Sequence, residues 1–234
     1  MQIHVITAFP KTFQGFLDES ILKRALSNKA VAIHLHHIRD YATDKHQQID
    51  DYPYGGGPGM ILKPEPIFAC VEDVVQSYKL QDTPVTLLTP AGETYTQHKA
   101  VELSLRDSLI LLCGHYKGID QRVIDELVDE EISIGDFVLT GGELVAMTII
   151  DSVVRLLPGV IGDIDSAVSD SFQTGLLDHP HYTRPVTFRG RSVPDVLRSG
   201  NHAEIEQWRH EQALRITRER RPDLYNIYEN ENNE

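Results

Sequence analysis

The stretch that decides the fold lies between residues 109 and 120 and has the sequence Leu109-Ile110-Leu111-Leu112-Cys113-Gly114-His115-Tyr116-Lys117-Gly118-Ile119-Asp120. Its first half is a short apolar run, which predicts a buried strand. Glycines follow, and then Asp120, a residue type favoured at the N-cap, which predicts a helix over 120–128. Open α/β sheets bind ligands where a strand ends and the chain turns into a helix.

The same pattern recurs through the first two-thirds of the chain. Apolar runs and period-two alternation predict strands at 3–9, 31–38, 85–89, 109–113 and 132–139. Helical spacing predicts helices from Pro10 onward and at 64–77, 97–105, 120–128 and 142–157. This alternation predicts an α/β fold with a mainly parallel sheet and helices on both faces.

A change of pattern marks the end of this first domain. The segment 162–170 is small, polar and aperiodic, and beyond it only helical patterns follow, at 193–199 and 202–220. We expect an α/β domain over 1–161, a flexible linker over 162–175 and a small all-helical C-terminal domain over 176–234.

The composition predicts a protein of the cytoplasm. Of the 234 residues, 41% are hydrophobic and 24% charged, which is ordinary for a globular protein. The two cysteines, Cys70 and Cys113, lie far apart in apolar surroundings and indicate neither a disulfide nor a zinc site. No basic leader begins the chain, and no apolar run approaches the ~18 residues of a membrane span.

The net charge of −13 argues against a nucleic-acid partner only if charge is averaged over the surface. Nine of the fourteen arginines lie between Arg184 and Arg221, against five acidic residues, so this segment carries a charge of +4. Arginine suits forked contacts to phosphate and stacking on bases. A helical domain with an arginine-rich solvated face explains the same composition.

Three glycine-containing segments are candidates for ligand binding. The segment 50–60, with four glycines in five residues, matches neither a P-loop nor a dinucleotide fingerprint, and a surface turn is the alternative. The segments 113–120 and 132–143 both follow strands, and together they could frame a planar heterocycle with their main chain. Cys113 and His115 could form a nucleophile pair, but a core cysteine fits the apolar run better.

Charged residues and histidines give weaker signals. Arg155, near the end of the long helix, could take part in catalysis together with acids of the linker. The helix dipole also explains a cation at this position, and acids of a linker are usually just solvated. His34 and His36 share one face of a predicted strand. An exposed strand face explains them more simply than a metal site does. The segment 178–181 lacks the partners of a convincing metal site.

Taken together, these segments resemble the bacterial tRNA (guanine-N1) methyltransferase family (TrmD type), part of the trefoil-knotted SPOUT class. The match follows the family's order through nearly the whole chain. The matching stretches include Tyr54-Gly55-Gly56-Gly57-Pro58-Gly59-Met60, Cys113-Gly114, Gly118-Ile119-Asp120, Ser133-Ile134-Gly135-Asp136, Gly141-Gly142-Glu143-Leu144, Asp170-Ser171-Phe172, Pro180-His181-Tyr182-Thr183-Arg184-Pro185 and Ser199-Gly200-Asn201-His202-Ala203-Glu204-Ile205. The sequence departs from common family patterns at Tyr52, His115 and Lys117.

The resemblance implies a trefoil knot, which general rules of topology exclude by default. It also implies that the knot loops hold S-adenosylmethionine. The residues implied for this cofactor site are Leu88, Pro90, Gly114, Tyr116, Gly118, Ile134, Gly135, Asp136, Phe137, Val138, Leu139, Gly141 and Gly142. Mg²⁺ is implied as well, although the sequence shows no metal cage.

The resemblance implies methyl transfer to N1 of the guanine immediately 3′ of the anticodon, in tRNAs where it follows another guanine. Asp170 corresponds to the general base, and Arg155 to the cation that stabilises charge on O6. The implied partners are the tRNA anticodon stem-loop and a second copy of the chain, with the active site between subunits. The implied substrate contacts are Gly59, Ser166, Asp178, Arg184, Arg215 and Arg218.

Two other function classes compete with the methyltransferase. An oxidoreductase or another nucleotide enzyme would suit a doubly wound sheet, but the dinucleotide fingerprint is missing. A non-catalytic RNA-binding regulator would bind tRNA and produce no N1-methylguanine.

Overall fold

The structure, a computed structural model, describes residues 1–161 and 170–232. The chain divides into two compact units, Met1–Gly162 and Asp163–Glu234. Most of the predicted linker over 162–175, including Ser166, lies outside the described residues. The domain boundaries derived from the sequence therefore stay a prediction.

A five-stranded sheet with only parallel neighbours forms the centre of the N-terminal unit. Its strands have the order β2-β1-β6-β5-β7, and β3 and β4 form a separate antiparallel pair. In chain order the strands are β1 (Gln2–Thr7), β2 (Ala32–His37), β3 (Asp50–Asp51), β4 (Ile61–Leu62), β5 (Val85–Thr94), β6 (Ser108–Cys113) and β7 (Glu130–Ser133).

Helices cover both faces of this sheet, and alternate residues of β6 show the division. Leu109 and Leu111 belong to the core beneath α2, α4 and α6, whereas Ile110 and Leu112 belong to the core beneath α3 and α5. This arrangement confirms the predicted fold class. The helices are α1 (Gln14–Leu17), α2 (Ser20–Ser27), α3 (Pro64–Tyr78), α4 (Gln97–Ser104), α5 (Gln121–Leu127) and α6 (Glu143–Val154), with 3-10 turns at Pro10–Phe13 and Ile38–Tyr41.

The helix predicted from Pro10 onward is broken into three pieces, a 3-10 turn followed by α1 and α2. Glu19 has extended backbone angles and Ser20 a positive φ, so the helical hydrogen-bond ladder cannot continue between α1 and α2. The predicted spacing nevertheless places the apolar side chains correctly, because Phe13 and Leu22 are both buried in the same core.

The strand predicted over 132–139 was wrong from residue 134 onward, since β7 spans Glu130–Ser133. Gly135 has a φ of +138°, which ends the extended run, and the chain forms a loop from Ile134 to Gly142. The strand predicted over 85–89 extends further, to Thr94, across a register shift between Leu88 and Glu93. Pro90 lies within this irregular part, where no ladder hydrogen bond is required of it.

Between residues 170 and 232, the C-terminal unit contains helices and one short hairpin. The elements are β8 (Thr187–Phe188), β9 (Arg191–Ser192), a 3-10 turn at Asp195–Arg198, α7 (His202–Arg220) and α8 (Pro222–Asn232). The helix predicted over 202–220 has the predicted bounds, while that over 193–199 is a single 3-10 turn. The hairpin was not predicted. It makes the unit mostly helical rather than purely helical.

None of the helices in residues 1–161 and 170–232 is long and apolar enough to cross a membrane.

Candidate functional site

A pocket of about 390 Å³ lies in the N-terminal unit, where β5, β6 and β7 end. Its walls come from residues 87–90, where the regular first part of β5 ends at the register shift after Leu88, from 114–119 after β6, and from 132–135 and 137–142 at the end of β7 and beyond. The carboxyl ends of parallel strands meet at one edge of a sheet, which is the usual place for a ligand in this fold class. The volume falls within the range of small-molecule sites.

Twelve of the thirteen residues that the sequence assigned to a cofactor site line this pocket. The exception is Asp136, which does not line it. The twelve are Leu88, Pro90, Gly114, Tyr116, Gly118, Ile134, Gly135, Phe137, Val138, Leu139, Gly141 and Gly142. The structure thus brings together residues from three separate strand ends.

Glycines allow the two main loops of the pocket to touch. The N–H of Gly142 donates to the carbonyl of Gly114 at 2.7 Å, and His115 and Gly141 form an isolated β-bridge. A Cβ on Gly142 would lie 2.9 Å from Cα of Cys113, which is backbone and cannot move aside. A Cβ on Gly141 would collide with the side chains of His115 and Glu143. The pocket wall therefore depends on the absence of side chains at these positions.

The side chain of Glu143 lies against this wall, next to Gly141. The sequence did not identify this residue. It begins α6, is only 5% exposed, and accepts a hydrogen bond from Thr7 Oγ1 at 2.7 Å. Nδ1 of His115 lies 3.6 Å from Glu143 Oε2. An acid in the first turn of a helix is ordinary. The sequence could not show its burial, because its partner lies 136 positions away in the chain.

The glycine-rich segment 55–59 meets the pocket rim through Lys117. The N–H of Lys117 donates to the carbonyl of Met60 at 3.0 Å, and a Cβ on Gly59 would lie 2.7 Å from Cγ of Lys117. Gly59, a predicted substrate contact, therefore lies beside a residue of the pocket wall. Burial raises the pKa of the neighbouring Tyr116, and the charge of Asp50 raises it further.

Cys113 fits a structural role. It is completely buried at the end of β6, and desolvation raises the pKa of its thiol, with the charge of Glu143 acting in the same direction. The thiolate is the nucleophilic form, so this shift disfavours a nucleophile at neutral pH. The interpretation of Cys113 as a core residue therefore agrees with its surroundings.

The two predicted catalytic residues belong to different units. Arg155 follows the last residue of α6, where its backbone N–H donates to the carbonyl of Asp151 at 3.2 Å. A cation is favoured at this end of a helix. Asp170 is half-buried in the C-terminal unit, and its carbonyl accepts from the N–H of Gln173.

The predicted substrate contacts of the C-terminal unit are dispersed. Asp178 Oδ2 lies 2.8 Å from Nε2 of His181, and Arg184 lines a cleft. Arg215 forms an ion pair with Glu219 at 3.1 Å on the same helix, and the guanidinium of Arg218 lies 5.7 Å from the ring centroid of Tyr225.

One group of potential metal ligands occurs among the described residues, formed by Asp178, His179 and His181. Their ligand atoms lie within 4.8 Å of one another, so the segment is better arranged for a metal than the sequence suggested. One carboxylate and two imidazoles are a donor set for late transition metals, whereas Mg²⁺ prefers oxygen ligands. The group therefore does not fit the Mg²⁺ that the resemblance implied.

Comparison with known proteins identifies the family. The sequence profile of the family described as "tRNA (Guanine-1)-methyltransferase TrmD" matches residues 1–227. A protein of Anoxybacillus flavithermus named tRNA (guanine-N(1)-)-methyltransferase is 57% identical over 229 residues, which are 98% of this chain and 93% of that protein. A protein of Bacillus cereus AH820 with the same name is 56% identical over 224 residues, which are 96% of this chain and 91% of that one. The chain belongs to the tRNA (guanine-1)-methyltransferase (TrmD) family.

Proposed function

We propose that this enzyme transfers the methyl group of S-adenosylmethionine to N1 of the guanine immediately 3′ of the anticodon, in tRNAs where that guanine follows another guanine. Membership of a tRNA (guanine-N1) methyltransferase family supports the reaction. The observation that carries the proposal for this chain is the pocket at the ends of β5, β6 and β7, whose walls meet through Gly114 and Gly142. The family match favours the methyltransferase over an oxidoreductase and over a non-catalytic RNA-binding protein.

The proposed cofactor pocket suits the adenosine part of S-adenosylmethionine. Main-chain amides and carbonyls from two loops can bond the edge of a purine, and Leu88, Ile134 and Leu139 supply apolar contacts for its faces. When bound, S-adenosylmethionine supplies an electrophilic methyl group on a sulfonium. The protein then has to orient this group toward N1 of guanine, because alignment lowers the barrier of such transfers.

Guanine N1 carries a proton, and its electrons are delocalised toward O6. We propose that Asp170 removes this proton and that Arg155 stabilises the negative charge that develops on O6. The position of Arg155 at the end of α6 and the half-buried state of Asp170 are compatible with these roles. No step is assigned to Mg²⁺, because the metal-ligand group of the C-terminal unit does not fit it.

Substrate contacts are proposed in both units. Gly59 lies beside Lys117, a residue of the pocket wall. The anticodon stem-loop would be contacted by four residues of the C-terminal unit, Asp178, Arg184, Arg215 and Arg218. Ser166 is a further proposed contact. A loop base can be splayed out without opening a duplex, so an unpaired guanine is accessible to such a site.

The same proposal includes a homodimer with the active site between subunits, a trefoil knot around the pocket and a cytoplasmic location. The first two are properties that the family resemblance implies.

The decisive test is incubation of the protein with isotopically labelled S-adenosylmethionine and an unmodified tRNA that carries two adjacent guanines at the site. We expect label in N1-methylguanosine after digestion and mass spectrometry, and no label when the second guanine is replaced by adenine. Label in another nucleoside, or none, would contradict the proposal.

A further inference from the structure

The hairpin of the C-terminal unit is a firmly built element. Arg189 and Gly190 connect β8 to β9, and both have a positive φ, of 49° and 75°, as in the type I′ turn of two-residue hairpins. The hydroxyls of Thr187 and Ser192 lie 2.8 Å apart across the strands. The N–H of Val193 donates to the carbonyl of Val186 at 2.9 Å. These contacts therefore define the backbone from which the side chains of the hairpin project.

This hairpin displays aromatic surface to solvent. Phe188 is 62% exposed, and Tyr182, from the preceding segment, is 50% exposed. Next to the hairpin lies a cleft of about 310 Å³, lined by Tyr182, Thr183, Arg184, Val186, Val193 and Arg198. Neighbouring exposed apolar residues are a common sign of a binding surface.

The same surface is strongly basic. Segment 182–198 contains four arginines, Arg184, Arg189, Arg191 and Arg198, and one acid, Asp195, which gives it a charge of +3 in a chain of −13. Arg198 pairs with Asp195 at 3.3 Å. Within the described residues, the other three arginines form no ion pair with an acid. The guanidinium of Arg189 lies 5.3 Å from the ring centroid of Phe188.

The arginines of α7 and of the residue that follows it differ from those of the hairpin, because several are neutralised locally. Arg209 pairs with Glu206 at 2.6 Å, Arg215 with Glu219 at 3.1 Å, and Arg221 with Asp223 at 2.6 Å. Counter-charges at this distance reduce the potential that a distant phosphate would experience. The excess of basic charge in segment 184–221 is therefore concentrated at the hairpin rather than along the helix.

We propose that the hairpin and its cleft form a binding site for an unpaired RNA nucleotide, which stacks its base on Phe188 and directs its phosphate to Arg184, Arg189 and Arg191. Aromatic rings interleaved with arginines are how proteins hold single-stranded nucleic acid, because every base offers a stacking face. The inference rests on the proposed function, and it specifies where the C-terminal unit holds the loop of the tRNA.

Substitutions of Phe188 test the stacking contact. The probe is an unmodified tRNA transcript, and its dissociation constant is measured at constant salt. We expect Phe188→Ala and Phe188→Leu to raise the dissociation constant at least about 5-fold, since a stacked base contributes about 1 kcal/mol or more. Phe188→Tyr should restore binding, because it keeps the ring. The matched control is Ile227→Ala, at an exposed apolar residue of α8.

A spectroscopic readout separates stacking from a merely structural role. Transcripts that carry 2-aminopurine at single unpaired positions of the anticodon loop report stacking as a loss of fluorescence. We expect the wild-type protein to quench at least one position, and Phe188→Leu to lose that quenching while its thermal unfolding stays unchanged. Equal quenching by the wild type and Phe188→Leu at every position would overturn the proposal.

The salt dependence of binding compares the two groups of arginines directly. Arg189→Gln with Arg191→Gln should flatten the log–log salt dependence by about two units, since each lost phosphate contact removes roughly one. Arg215→Gln with Arg218→Gln should change it less. A larger change from the helix pair would overturn the proposal.

The outcomes also distinguish this proposal from the proposed function. If the wild type forms N1-methylguanosine and the Phe188 variants bind tRNA unchanged, only the hairpin site is wrong. If the hairpin variants weaken tRNA binding but the wild type forms no N1-methylguanosine, the site stands and the proposed reaction is wrong.

Discussion

In the N-terminal unit the candidate pocket is bounded by glycine main chain, whereas in the C-terminal unit the candidate RNA surface consists of exposed side chains. Gly114 and Gly142 are joined by a 2.7 Å hydrogen bond at the pocket, and a single added methyl group would meet backbone there. At the hairpin, Phe188 at the end of β8 and Arg189 in the turn are both exposed, and the guanidinium of Arg189 lies over the ring of Phe188. Adding a side chain at these glycines disrupts the wall of the pocket. At the hairpin, several side chains share the binding free energy for RNA.

This difference gives each region a characteristic response to mutation. One substitution at the pocket should lower the affinity for the cofactor strongly. Each substitution at the hairpin should lower the affinity for tRNA by a smaller amount. The catalytic pair proposed from the sequence, Arg155 and Asp170, should act on neither affinity but on the rate.

The largest effect is expected from Asp170→Ala. Without the general base, the turnover number for methyl transfer should fall by roughly 10²–10⁴, while calorimetric binding of S-adenosylmethionine stays unchanged. The control is Asp82→Ala, at an exposed acid of the N-terminal unit. Normal turnover by the Asp170 variant would remove this residue from the mechanism.

Next in size is Gly142→Ala. The new Cβ meets Cα of Cys113 at 2.9 Å and N of Gly114 at 3.1 Å, so the two loops must separate. Overpacking of this kind costs about 1–3 kcal/mol, and we expect the affinity for S-adenosylmethionine to fall about 5- to 150-fold in calorimetry. Gly15→Ala is the matched control, because a Cβ there meets nothing within 4 Å. Equal affinities for both variants would show that the pocket is not the cofactor site.

An effect of similar size, on stability rather than on cofactor affinity, is expected from Glu143→Ala. The substitution leaves the hydroxyl of Thr7 without its buried acceptor, and it should lower the free energy of unfolding by about 1–3 kcal/mol. Chemical denaturation provides the measurement. The same change at the exposed Glu126 should have almost no effect. If both variants unfold alike, the buried contact does not stabilise the wall.

The smallest effect concerns pH and belongs to the N-terminal unit alone. Burial lowers the pKa of His4 to about 4, and the nearby His34 and His36 add to the shift. Between pH 6.5 and 4 the unfolded chain binds more protons at this group than the folded protein does. The contribution of His4 to stability is therefore complete above pH 6.5 and is lost as the pH falls toward 4.

We expect the free energy of unfolding to decrease by about 1–2 kcal/mol between pH 7 and pH 5 through His4. His4→Gln should flatten this dependence in denaturation curves, and His98→Gln, at an exposed residue, should not. An identical pH dependence in the His4 variant and the wild type would contradict the assignment.

Local patterns sufficed to predict much of the fold. The apolar run of β6, the N-cap Asp120 and the bounds of α7 all follow from periodicity and capping, and the structure agrees with them. The resemblance to a family supplied the pocket residues, twelve of which lie together. Spacing alone had suggested only that two glycine segments could frame a heterocycle.

The features that the sequence did not predict are a contact between distant residues, a loop with an apolar pattern and a short hairpin. The burial of Glu143 needs Thr7, far away in the chain. Residues 134–139 of the loop after β7 were predicted as strand, because apolar residues that line a pocket resemble those of a buried strand. The hairpin carried a usable signal, since Arg189-Gly190 separates two short β-prone stretches.

The central claim is that the main-chain pocket of the N-terminal unit holds the methyl donor. A crystal structure of the protein soaked with S-adenosylmethionine tests it most directly. We expect density for the adenosine between Gly114 and Gly141, with hydrogen bonds to the main chain of residues 134–141. Density for the compound at another place, with this pocket empty, would contradict it.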